Sequence, residues 1–92
     1  MHFFAFRIRK QLSPDIRGAA SCWIKTGSKP AARLRAESMI FEQGWEAYDL
    51  LEDHFVSESN YASGEDGLQY YEQAMIDGEV LVLVLVDDQA SD

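Results

Sequence analysis

The stretch Val80-Leu81-Val82-Leu83-Val84-Leu85-Val86 contains no polar side chain and sets a β-branched valine at every other position. Successive side chains of a strand point to opposite faces, so this run offers valines to one face and leucines to the other. Apolarity on both faces is the pattern of a strand covered on both sides, and it predicts a sheet that buries its last strand. Its seven residues are far fewer than the roughly 20 that a helix needs to span a bilayer. Acids flank it at Asp77, Glu79, Asp87 and Asp88, where they are expected to guard against fibril formation.

Working back from that strand, Gly67–Ile76 has helical spacing. Leu68, Tyr71, Ala74 and Met75 form its apolar stripe, Asp66 and Gln69 a capping-box pair, and Asp77-Gly78 its stop. Of the pair Tyr70-Tyr71, helical geometry sends Tyr71 to the core and leaves Tyr70 about 100° away, free for contacts. Residues 57–67 are polar and are read as a loop. Trp45–Val56 is extended, with a bulge expected where Leu50 and Leu51 break the alternation. A helix is expected from Ser28, a capping residue followed by Pro30, to about Gln43. Its stripe is Ala32, Ala36, Met39, Ile40 and Gln43, and Gly44 ends it. Two alternating strands come first: His2–Arg9, with Phe4, Phe6 and Ile8 on one face, and Ala19–Thr26, with Ala20, Cys22 and Ile24 on one face. Ser13-Pro14-Asp15 and Gly18 supply the turn between them.

The order ββαβαβ predicts an α+β fold, a two-layer sandwich with a four-stranded sheet and both helices on one face. With 92 residues, one domain over 1–88 is expected, and a flexible acidic tail over 89–92. The alanine-rich helix ending at Gly44-Trp45 and the segment from Gly67-Leu68-Gln69-Tyr70-Tyr71 to Gly78-Glu79-Val80 resemble small bacterial α/β proteins of unknown function with a ferredoxin-like character. The two strands before the first helix are not separated by a helix, as they would be in a standard ferredoxin-like order. The resemblance therefore implies a fold class only and assigns no site residue.

Charge is segregated along the chain. All eight basic residues precede position 36, where Asp15 is the sole acid, so the first 36 residues carry +7; residues 37–92 hold fifteen acids and no Lys or Arg. The formal net charge is -8. Either the halves neutralise each other within one fold or across an assembly, or the surface has separate basic and acidic faces.

Several chemistries are disfavoured. Cys22 is the single cysteine, which excludes an intramolecular disulfide, and its place beside Ile24 marks it as a small core hydrophobe in a reducing, cytoplasmic setting. With His2 and His54 as the only histidines, no metal site or cofactor is expected. His54 lies among Glu52, Asp53 and Glu58 without a nucleophile, so no catalytic residue is assigned. Gly64-Glu65-Asp66-Gly67 places acids where a phosphate would sit. Met1–Phe6 is apolar but lacks the basic start and cleavage pattern of a signal peptide.

What remains are surfaces. Phe3, Arg7, Arg9, Trp23 and Lys25 are expected on the sheet face opposite the helices, an aromatic and basic combination that stacks bases in single-strand binders. A pI near 4.5 opposes a polyanionic partner, so nucleic acid is disfavoured. The expectation is a non-catalytic interaction or regulatory module that forms a homo-oligomer through its sheet. The alternatives are an acidic inhibitor or immunity-type protein, presenting Glu46, Asp49, Glu52, Asp53 and Glu58 to a basic protein partner, and a single-stranded nucleic-acid binder using the basic aromatic sheet face. The residues expected to meet a partner are Phe3, Arg7, Arg9, Trp23, Lys25, Glu52, Asp53 and Tyr70.

Overall fold

Local sequence signals place the elements. In the computed structural model, which describes residues 1–61 and 66–86, these are β1 (His2–Lys10), β2 (Arg17–Ile24), α1 (Lys29–Glu42), β3 (Trp45–Phe55), a single 3-10 turn (Glu58–Asn60), α2 (Asp66–Asp77) and β4 (Glu79–Val86). The expected acidic tail, Asp87 and Asp88, and Gly64-Glu65 lie outside the described residues. Ser28 accepts a hydrogen bond from the Ala31 N–H at 3.4 Å and Pro30 occupies the first turn, which together start α1. Gly44 and Gly78 follow the two helices with φ of +88° and +90°, the left-handed geometry that glycine adopts without a Cβ clash.

The four strands form one antiparallel sheet in the order β3-β1-β2-β4. This is the expected α+β fold with the expected order of strands and helices. β2 begins two residues earlier than the alternation suggested, because the ladder from β1 continues through Ile8–Gly18 to Arg9–Arg17. β3 carries two bulges against β1. One leaves Leu51 unpaired, as expected near Leu50-Leu51, and a second leaves Tyr48 unpaired.

The core lies between α1 and one face of the sheet: Phe4, Phe6, Ile8, Ala20, Cys22 and Ile24 meet Ala32, Ala36, Met39 and Ile40, with Trp45 at the end and Leu81 and Leu83 packed alongside. The second helix is placed differently from expectation. Tyr70 of α2 packs on Trp23, which faces away from that core, so α2 covers one end of the opposite face. Strand direction explains the difference. β2 and β3 run parallel, each antiparallel to β1, so α1 makes the kind of crossover that the handedness rule governs; β4 runs opposite to β3, and α2 is not bound by that rule.

The expectation that Val80–Val86 is covered on both sides is overturned as well. β4 is an edge strand, half-buried at its start and open at Val84, Leu85 and Val86, which are 56%, 67% and 47% exposed. A two-sided apolar pattern reports the environment that the side chains favour, and cannot separate a central strand from an edge. Because α2 lies across the end of the sheet where β4 begins, it buries only Ala74 fully and leaves Met75, expected in the core, exposed.

Candidate protein-interaction surface

The sheet face opposite α1 has a closed end and an open end. At the closed end Phe3 and Trp23 are cross-strand neighbours with ring centroids 4.9 Å apart, and Trp23 meets Tyr70 of α2 at 5.2 Å. The Trp23 Nε1–H donates to the Tyr61 hydroxyl at 2.9 Å, and Tyr61 in turn packs on Tyr71. Gly67 admits the Tyr61 ring so closely that a Cβ there would lie 2.6 Å from it. Lys25 reaches the Met75 carbonyl at 3.3 Å. Trp23 is thus 5% exposed and, with Tyr70, fastens α2 to the sheet. The expected stacking platform is used up in packing, and Tyr70, expected to be free, is committed within the chain. Tyr71 is half-buried on Tyr61 rather than in the core.

Beside this end, Phe3, Trp23, Tyr61, Glu52 and His54 border a shallow cavity of about 520 Å³. His54 Nε2 and Glu52 Oε1 are 3.2 Å apart on exposed side chains, and the His54 ring lies parallel to Phe3. Among the described residues no group of three His, Cys, Asp or Glu side chains is placed to hold a metal ion. Cys22 lies on the other side of the sheet within the core, where burial pushes its thiol up to about 12.

The open end holds the charges that the sequence segregates. Arg9 donates to Glu46 at 3.0 Å through Nε, and Arg7 lies 3.9 Å from Asp49. Both acids come from β3, which the ladder sets beside β1. The Tyr48 ring, freed by its bulge, lies between the guanidinium groups of Arg9 and Arg17, 5.2 and 5.0 Å from its centroid, and its hydroxyl accepts from Arg17 at 2.9 Å. On the α1 side Lys29 pairs with Asp53 at 2.8 Å, and Arg35 donates to both carboxylate oxygens of Glu79 at 2.8 and 2.6 Å. That fork holds the Glu79 carboxyl below its usual range, through the Arg35 hydrogen bond first and its charge second. Lys10 sits over Trp45 and Arg33 faces Glu37, so all eight basic side chains have a partner within the chain.

These exposed pairs are worth only about 0–1 kcal/mol each, but they decide what the face can offer. Glu46, Asp49 and Asp53, expected to greet a basic partner, already face Arg or Lys. Next to them the open end presents apolar groups: Leu51 at its bulge, and the Val84 and Val86 side chains, which share the face of Arg17 and Ala19. Sequence reasoning did not single out Tyr48 or Tyr61. Two bulges within one strand displace the period-two pattern, and the Tyr61–Trp23 bond spans 38 residues. The placement of Glu46 and Asp49 five and two residues before Leu51 was visible; their pairing with β1 was not. No protein-family model, no curated protein and no solved structure matches the chain.

Proposed function

We propose that the chain is a non-catalytic protein-interaction module that associates with itself through its sheet. The observation that carries this is the exposure of Val84, Leu85 and Val86 on a strand that is apolar on both faces. A contiguous exposed apolar patch of this kind on a small domain marks a contact surface. The pairing of Arg7 and Arg9 with acids of their own chain supports the same reading, since it leaves the apolar strip as the dominant unmet demand of that end. Binding of single-stranded nucleic acid ranks below it, because Trp23 is packed under α2 and the arginines are engaged. An acidic module for a basic protein ranks below it for the matching reason on the acid side.

Light scattering on a size-exclusion column tests the proposal. The expected molar mass is that of two chains, and a clean monomer across the accessible concentration range refutes self-association. The Arg7→Glu, Arg9→Glu double variant addresses the nucleic-acid reading. Wild-type binding to a single-stranded oligonucleotide with steep salt dependence, lost in the variant at unchanged subunit state, would overturn the ranking.

A further inference from the structure

We infer that β4 pairs with β4 of a second copy, antiparallel about a two-fold axis normal to the sheet, with Leu83 facing Leu83 of the partner subunit. The inference rests on the self-association proposed above and specifies where and how it occurs. The two edges of the sheet differ in the features that govern edge pairing. β3 is interrupted by two bulges and carries Glu46, Asp49, Glu52 and Asp53, devices that blunt an edge. β4 has no bulge against β2, and after Glu79 it has no charge and no proline over seven residues. Only one edge is therefore fit for pairing. An edge that pairs with its own copy closes on itself as a dimer, whereas β4 on β3 would propagate as an open filament.

Symmetry fixes the rest. A two-fold axis normal to the sheet keeps each face on its own side, so the valines, which share the face of Trp23 and Ala19, meet valines, and the leucines, which share the face of Cys22 and Ala20, meet leucines. Of the registers this allows, the one centred on Leu83 sets Val80 opposite Val86, Leu81 opposite Leu85 and Val82 opposite Val84. It is the one in which no residue of the run hangs beyond its partner's. The same pairing matches the uneven cover of β4. α2 packs against the start of the strand, and antiparallel pairing brings that end of one copy beside the exposed end of the other. Ile76, 79% exposed and three residues before β4, lies at the end that receives Val86 of the other copy. Glu79, which borders the start of the run, is already neutralised by Arg35.

Two measurements test this. The Val84→Lys, Leu85→Lys variant changes side chains that are exposed in the single chain, so its circular dichroism should be unchanged while its molar mass falls to that of a monomer. If it stays dimeric the β4 inference is overturned and self-association through another surface stands; if the wild type is monomeric both fall. The second measurement does not depend on disrupting the interface. Opposed Cα atoms of an antiparallel pair are about 4.5–5.5 Å apart, within disulfide reach, so Leu83→Cys should form a covalent dimer under mild oxidation. Leu81→Cys should not, because its symmetry mate lies four residues along the strand, about 13 Å away. Buried Cys22 contributes no background. A dimeric Leu83→Cys protein that does not cross-link, or cross-links no better than Leu81→Cys, overturns the inference.

Discussion

Gly18→Ala should destabilise the protein, although the usual rule for such a change points the other way. Gly18 is buried in β2 between Ile8 of β1 and Leu85 of β4, and its backbone has no positive φ that would exclude alanine. On that ground alanine should stabilise by about 0.4–1 kcal/mol, because it restricts the unfolded chain. The added Cβ, however, would lie 2.6 Å from the Val84 carbonyl oxygen and 3.4 Å from Ile8 Cγ1. The oxygen belongs to the backbone of the neighbouring strand, so no rotamer change relieves the contact, and β4 must move away from β2. Overpacking of this kind costs about 1–3 kcal/mol, leaving a net loss of about 1–2 kcal/mol. In a domain of this size each kcal/mol lowers Tm by about 4–8 °C, and thermal unfolding followed by circular dichroism at matched protein concentration resolves that. Gly27→Ala is the control: nothing lies within 4 Å of its Cβ position, so it should be neutral or slightly stabilising. A Gly18→Ala protein as stable as wild type, with Gly27→Ala behaving the same, would refute the packing of β4 against β2 described above.

Tyr61→Phe removes the acceptor of the buried Trp23 N–H and should cost about 1–3 kcal/mol, with a shift in tryptophan fluorescence; an unchanged Tm and spectrum would show that this bond does not hold α2 in place. Cys22 should resist a thiol reagent at neutral pH, and Cys22→Ala should cost about 1 kcal/mol; rapid labelling of the native protein would contradict its burial. Since the folded thiol is raised to about 12 from an ordinary value of 9.0, its contribution is intact below pH 9 and lost as pH rises toward 12; wild-type stability should fall over that window more steeply than that of Cys22→Ala. The lowered Glu79 carboxyl has the opposite sign, adding stability above the ordinary carboxylate value that disappears as pH falls; Glu79→Gln should flatten the acid side of the stability profile, and an unaltered profile would show that the Arg35 fork adds nothing.

Much of the architecture is local chemistry and was legible in the chain. Alternation at Phe4, Phe6 and Ile8 and at Ala20, Cys22 and Ile24 names the core face of β1 and β2, and Ser28-Lys29-Pro30 and Gly44 bound α1, because caps and strand periodicity depend on residues a few positions apart. The charge segregation was legible too, but it left open whether the halves meet or form separate faces; Arg9–Glu46 and Lys29–Asp53 are two of the points where they meet. Three matters belonged to the tertiary structure alone. Which strands lie at the edges depends on pairing between residues far apart in sequence, so the uniform run Val80–Val86 could not announce that it is β4 of an edge. The face taken by α2 depends on the relative direction of β3 and β4, which no periodicity encodes. The fate of the aromatic face depends on Tyr61 and Tyr70 arriving at Trp23 from 38 and 47 residues away. Composition marks such a ring as sticky; only the packed chain decides whether its partner is a ligand or its own helix.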